Sequence, residues 1–297
     1  MNAAQPPIGR RAASALSFVL ALLLGACASL PAQVDRPASV ALAGDAQTPL
    51  ARMIEPVLPP DGRSGFRLQP YGPNAFATRI ELVKLAARSL DVQYYLLKAD
   101  NTGLTLMRAL RDAALRGVRV RLLVDDLYTT GEDEVLLALA ATPNVEVRLF
   151  NPFPAGRAND LTRFVASGLE FGRVNRRMHN KLFIADDTAA VAGGRNMADE
   201  YVMNAAGSNF VDMDVFAVGP VVRALSNEFD HYWNSEVVYP LASIAHSDST
   251  PSQLQQRFER LGAAARPPEA AEIAADGRVG HPTDGEPSVL GPDLTLM

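Results

Sequence analysis

The residues best suited to chemistry in this chain fall within one short segment, Met178-His179-Asn180-Lys181-Leu182-Phe183-Ile184-Ala185-Asp186. In extended backbone alternate side chains share a face, so His179 and Lys181 project to one side about 6 to 7 Å apart, with an apolar run behind them as anchor. An imidazole beside an ammonium is a phosphate-handling pair. The neutral ring is a nucleophile near neutral pH, and the ammonium offers charge to the non-bridging phosphoryl oxygens. A lone histidine is ordinarily a satisfied structural residue, but this pattern continues. Beyond Asp186, with six residues intervening, comes Gly193-Gly194-Arg195-Asn196, completing His-x-Lys-x4-Asp-x6-Gly-Gly-x-Asn.

The flanking sequence predicts the elements that hold this segment. Phe76, Ile80, Val83 and Ala87 recur at helical spacing, and residues 90–96 alternate as a strand. A helix over 104–116 stops at Gly117, and a strand over 118–124 ends in Asp125-Asp126. A third unit repeats the plan, with a helix over 134–141 and a strand over 145–150. Two short strands follow about the turn Asp186-Asp187-Thr188, then a strand over 213–218 and a helix from Pro220 toward Trp233. This alternation predicts an α/β layered domain with a largely parallel central sheet flanked by helices. Asp125, Asp126 and Asn151 fall at carboxyl ends of its strands, where open sheets gather ligands. Between residues 151 and 178 the chain loses periodicity and becomes basic, with Arg157, Arg163, Arg173, Arg176 and Arg177. A loop of that length inside a compact domain is more often functional than decorative.

Composition narrows the partners. The 297 residues carry a net charge of −5 and a pI near 5.5, which argues against a nucleic-acid backbone as the main ligand. The one cysteine, Cys27, excludes an internal disulfide and any cysteine-rich metal site. It ends an apolar run from Ala12 to Leu24 that follows Arg10-Arg11 and is short for a membrane-spanning helix. Leu24-Gly25-Ala26-Cys27 resembles a bacterial lipobox, the alternatives being an ordinary signal peptide or an uncleaved anchor. Residues 1–26 then read as a lipoprotein signal, Cys27 as the lipidated terminus, and the destination as the cell envelope, on the outer-membrane or periplasmic side. Residues 27–64 read as a tether and lead-in, 65–245 as the catalytic domain, and 246–297 as a helical remnant with a tail expected to be largely disordered after about Leu261.

The motif string, with Asp91-Val92-Gln93-Tyr94-Tyr95, Val124-Asp125-Asp126 and Asp212-Met213-Asp214-Val215, resembles the phospholipase D superfamily and its bacterial cardiolipin synthase-like branch over roughly residues 65–240. The resemblance implies that His179 attacks phosphorus to give a phosphohistidine-linked phosphatidyl intermediate, resolved by an alcohol or water without a metal or other cofactor. It implies that Lys181 and Asn196 bind the phosphoryl oxygens and that Asp186 fixes the local turn. Asp212, with Asp214 in reserve, is the acid that orients the imidazole, unless the two are solvated strand-edge acids. Arg173, Arg176 and Arg177, with Gly194, would receive an anionic headgroup, or the arginines are a solvated loop face. Tyr94, Tyr95 and Gln93 read as sheet and pocket wall. Family members usually pair two His-x-Lys motifs across one site, whereas His231, His246 and His281 lack the lysine. Either two copies meet about a two-fold axis, giving a homodimer, or the chain is the front half of a longer protein. Membrane phospholipid is therefore the expected substrate, whether for transfer or hydrolysis. A nucleic-acid phosphodiesterase and an inactive truncated lipoprotein are the competing readings.

Overall fold

The computed structural model describes residues 30–58, 61–154, 156–157, 161–163 and 171–266, and three two-residue strands beyond them. Cys27 with its apolar run, and most of the tail, lie outside the described residues.

Eight strands build the body of one sheet: β1 (Gly65–Gln69), β2 (Ser89–Tyr94), β3 (Arg119–Asp125), β4 (Val145–Phe150), β5 (Leu182–Ala185), β6 (Ala189–Gly193), β7 (Asp214–Val218) and β8 (Val238–Pro240). The helices are α1 (Pro49–Ile54), α2 (Gly72–Leu85), α3 (Asn101–Leu115), α4 (Asp133–Ala140), α5 (Phe171–Val174), α6 (Pro220–Trp233) and α7 (Pro251–Ala264). The short strands β9 (Glu272–Ile273) and β10 (Val279–Gly280) pair with each other, and β11 (Thr295–Leu296) extends the sheet beside β1. The sheet order is β11-β1-β7-β6-β5-β2-β3-β4-β8.

The α/β layers are as expected, but the sheet is mixed rather than largely parallel. Only β2, β3 and β4 run parallel, joined by α3 and α4, because a parallel pair needs a crossover connection. From β5 onward the links are a hairpin, a loop and a connection through α6, and every remaining pairing is antiparallel. The helix-strand alternation that suggested a parallel sheet ends at Phe150.

Strand alternation divides the core between two faces. Phe183, Ala185, Val191 and Phe216 point toward α1–α4 and α7, whereas Leu182, Ile184 and Ala190 meet Val222, Phe229 and Trp233 of α6. Burial of each large side chain stabilises the fold by about 1.5 to 3 kcal/mol.

The segment read as a tether is bonded to the domain from Arg36 onward. Arg36 donates to the carbonyls of Glu236 and Val238 and lies over the Tyr239 ring. The Pro37 carbonyl accepts from buried Arg148 at 2.7 Å, and the Ser39 carbonyl accepts from buried Arg121 at 3.0 Å. Trp233 Nε1 donates to Ser39 Oγ, and the Ala41 N–H to Asp230. Two guanidinium groups beneath α6 thus depend on this strap, so the folded unit starts well before Gly65.

Asp186 closes the β5–β6 hairpin. Asp186 and Asp187, in the three-residue turn 186–188, both take positive φ (53° and 52°), which aspartate tolerates better than most residues. The Asp186 carboxylate, 2% exposed, accepts the N–H groups of Ala87, Arg88 and Ser89 at 2.8–2.9 Å. It therefore welds the hairpin to the lead-in of β2, at the far end of β5 from His179. Asp186→Ala should orphan these amides and cost about 3 kcal/mol or more, on a scale of one to three per buried donor. Thermal unfolding with amide exchange at residues 87–89 checks this, and an unaltered midpoint would refute the role.

Candidate active site

His179 and Lys181 lie just before β5, on extended chain rather than within the strand itself, which starts at Leu182. Both nevertheless address the same surface. The exposed His179 ring meets Tyr95 edge-on at 4.6 Å between centroids, and Lys181 Nζ lies 5.1 Å from the centroid of that same ring. Lys181 is only 4% exposed, and its ammonium donates to the His179 carbonyl at 2.7 Å. Tyr128 packs edge-on against the other side of Tyr95. Desolvation and a hydrogen bond with Tyr128 push the Tyr95 phenol up to about 12, so it is an uncharged wall at neutral pH.

The electrostatics suit a neutral nucleophile beside a cation. Partial desolvation, then the Lys181 charge, hold His179 below the ordinary imidazole value, while Asp212 pulls it upward. Burial brings Lys181 down to about 8, again against Asp212. One carboxylate thus acts on both members of the pair.

The Gly-Gly of the motif follows from how close that carboxylate lies. A Cβ on Gly194 would sit 2.0 Å from Asp212 Oδ1, and one on Gly193 would sit 2.1 Å from Asp214 Oδ1 and 2.5 Å from the Met213 carbonyl. Only glycine lets both acids approach. The two acids then diverge. Asp214 is fully buried, pairs with Arg79 at 3.0 Å and Arg195 at 3.5 Å, and is unavailable to the imidazole. Asp212 is half-buried, and its charge reaches His179. Arg195 donates to the carbonyls of Gln69, Pro70 and Asp212, which pins the backbone that carries the acid. Asn196 is buried and accepts the Leu96 N–H through Oδ1 at 3.1 Å, leaving its amide N–H groups as the donor it could turn to an anion.

A family model described as "Cardiolipin synthase, PLD-like domain" matches residues 80–233, just over half of the chain, including Tyr95, His179, Lys181, Asn196 and Asp212. The chain belongs to this family. It is similar to cardiolipin synthase C of Escherichia coli (strain K12), 43% identical over 186 residues, which are 63% of this chain and 38% of that protein. It is also similar to an uncharacterized protein of Helicobacter pylori (strain J99), 34% identical over 173 residues, 58% of this chain and 34% of that one. Among solved structures, the phospholipase D family member Nuc from Salmonella typhimurium superposes with a TM-score of 0.42 at 18% identity, covering 60% of this chain and 97% of that one. The chain spans less than two fifths of the length of these two curated relatives.

Within this PLD-like domain, Asp125 has a role that its position at a strand end only hinted at. Its carboxylate accepts the Met178 N–H at 2.8 Å, the Leu127 N–H at 2.9 Å and Arg177 at 3.2 Å, gripping the chain one residue before His179. Burial pushes this carboxyl up to about 6, against Arg177 and the two amides, so it is ionised at neutral pH. The three arginines have unequal freedom. Arg173 donates to Asn151 Oδ1 and the Pro152 carbonyl, and Arg177 to Asp125 and the Asn151 carbonyl while stacking over Phe153. Arg176 is exposed. Asn151 returns two bonds, to the Arg173 and Arg176 carbonyls, from a backbone at φ 47°. Two of the three thus shape the loop that delivers His179.

Sequence reasoning placed Asp125 at a strand end and Tyr95 in the sheet or pocket wall without their partners, and gave Arg195 no role. For Tyr95 a signal existed, since Tyr94 and Tyr95 are adjacent at the end of a strand and must point to opposite faces.

Gly193→Ala should lower stability by about 1 to 3 kcal/mol, because its Cβ meets backbone and a buried ion pair. Gly194→Ala need only displace the half-buried Asp212 side chain, so its melting temperature should change little while turnover falls about tenfold or more. Melting curves and kcat compared for the two variants check this, and identical behaviour would contradict the geometry.

Proposed function

We propose that the domain breaks and remakes phosphodiester bonds of membrane phospholipids, with His179 as covalent nucleophile, in a cardiolipin synthase-like transfer or its hydrolytic counterpart. The observation that carries this reading is the shared Tyr95 wall, which places a neutral imidazole and a desolvated ammonium together under one carboxylate. Its family, and a 43% identical relative named cardiolipin synthase C, favour lipid over other phosphodiesters.

An imidazole nitrogen of His179 donates its electron pair to phosphorus, the N–P bond forms, and the P–O bond to the leaving alcohol breaks. Lys181 and the Asn196 amide offset the charge on the non-bridging oxygens, where preorganised donors contribute most. Asp212 stabilises the ring as it becomes cationic, the part an acid plays in a triad. The leaving oxygen takes its proton from a general acid, which we assign to a second His-x-Lys motif brought by another copy or another half. The incoming hydroxyl, of a lipid alcohol or of water, then forms the new P–O bond, returns a proton to that acid, and frees His179. Lipid at Cys27 would hold the domain at the envelope bilayer where this substrate lies.

His179→Ala should lower kcat/KM by at least about 10³-fold, equivalent to about 4 kcal/mol of transition-state stabilisation. A few-fold loss would sink the covalent role. The pH profile of kcat/KM should rise as His179 loses its proton, below the ordinary imidazole value, and fall as Lys181 loses its proton near 8. Since Asp212 raises both values, Asp212→Asn should move both limbs to lower pH. An alkaline limb that stays in place, or moves upward, would rule out Asp212 as the shared carboxylate.

A further inference from the structure

The exposed large apolar side chains of the described residues are unevenly spread. Val40, Met53, Val57 and Leu115 lie away from the site, and Leu115 ends α3 just before the amino end of β3, whose other end carries Asp125. Leu68, Tyr128, Met203, Phe210, Val211 and Met213 lie at the site end. Met203 and residues 210–213 belong to the link between β6 and β7 that delivers Asp212. Leu68 pairs with Val215 across β1–β7, and Met213 stands two residues before Val215, so the three share one face. Val211, next to Asp212, is 95% exposed.

This link is a built loop. Asn209 and Ala205 exchange side-chain and main-chain hydrogen bonds at 3.1 and 3.2 Å, the Phe210 N–H donates to the Glu200 carbonyl at 2.7 Å, and the Phe210 ring packs on Tyr201. Met203, 59% exposed, is held at φ +64°, which a long side chain rarely adopts and which is retained where the surroundings impose it. Over residues 202–213 the only charge is Asp212. Apolar groups are thus presented to solvent around the catalytic acid with almost no charge to oppose transfer into lipid.

Two further features lie at the same end. A groove of about 360 Å³ between Phe150 and Val237 is edged by Arg173 and Arg176, which suits anionic headgroups. The strap meets the domain here first, since Arg36 binds the Glu236 and Val238 carbonyls and Val238 pairs with Phe150 at the carboxyl end of β4. Arg36 stands nine positions after Cys27, a reach of at most about 30 Å.

We infer that the site end of the domain is a bilayer-docking face, in which Met203, Phe210, Val211 and Met213 enter the lipid surface and Arg176 meets its anionic headgroups. The inference deepens the proposed function and rests on its lipid substrate. It places His179 over the membrane, so that a phospholipid need only rise partway from the bilayer to reach the imidazole.

The chain has one tryptophan, Trp233, which is fully buried, so an added tryptophan reports its own surroundings. Full-length Val211→Trp and Leu115→Trp proteins are mixed with phosphatidylglycerol vesicles containing a brominated phosphatidylcholine. The Val211→Trp emission should shift to the blue and lose about half its intensity, with Leu115→Trp unaffected. Absence of quenching at position 211, or equal quenching at both positions, overturns the inference. So does an emission already shielded in buffer from a protein that sediments as a dimer, which would assign the face to a second copy. In a second arm, Met203→Ser/Val211→Ser should reduce turnover of vesicle phospholipid about tenfold and leave hydrolysis of soluble bis(p-nitrophenyl) phosphate unchanged. Unchanged vesicle turnover also overturns it. Failure of the functional reading looks different, because quenching at position 211 would persist while no His179-dependent turnover of lipid is found.

Discussion

β5 is held at both ends by carboxylates that accept main-chain N–H groups, and the rest of the site depends on that grip. At one end Asp186 takes three amides from the turn before β2. At the other, Asp125 takes the amide of Met178. Charge-assisted bonds to amides are short and directional, so each end of the strand is fixed in position as well as in pairing. Between these clamps the strand cannot slip relative to β2, and the two residues ahead of it are delivered to the Tyr95 ring.

Neither clamp touches the reacting atoms, and both acids could be mistaken for catalytic groups on residue type alone. The same division of labour recurs across β6 and β7, where two acids two residues apart serve opposite ends. Asp214 neutralises buried arginines inside the fold, and Asp212 turns its charge to the pocket. The glycine pair opposite them is the steric condition for both, which explains why the motif extends beyond the residues that do chemistry.

Much of this was legible in the chain. The helix-strand units up to Phe150, the strand and hairpin after Lys181 and the helix opened by Pro220 follow from local periodicity and turn chemistry. The shared surface of His179 and Lys181 follows from their spacing. The sheet is mixed rather than largely parallel because the three parallel units are followed by the hairpin at 186–188, and a three-residue turn can only join antiparallel strands. Choosing between Asp212 and Asp214 requires knowing which one faces inward. Asp214 is the one that faces inward, buried against Arg79 and Arg195, partners that no local pattern marks. Asp125 was only half visible, since its partner stands 53 positions later and no local pattern marks such a bond.

The strap at residues 36–41 is the extreme case of such distance, with partners up to about two hundred positions ahead of it. During synthesis it emerges first, yet it finds its seat only after α6 and β8 have left the ribosome. Until the strap returns, Arg121 has Asp91 and Asp230 and Arg148 has Glu146 as partners, while their bonds to the Ser39 and Pro37 carbonyls stay open. Contacts closed over so long a loop are formed late and slow the approach to the native state. The last event in assembling this domain would thus be the seating of its first residues.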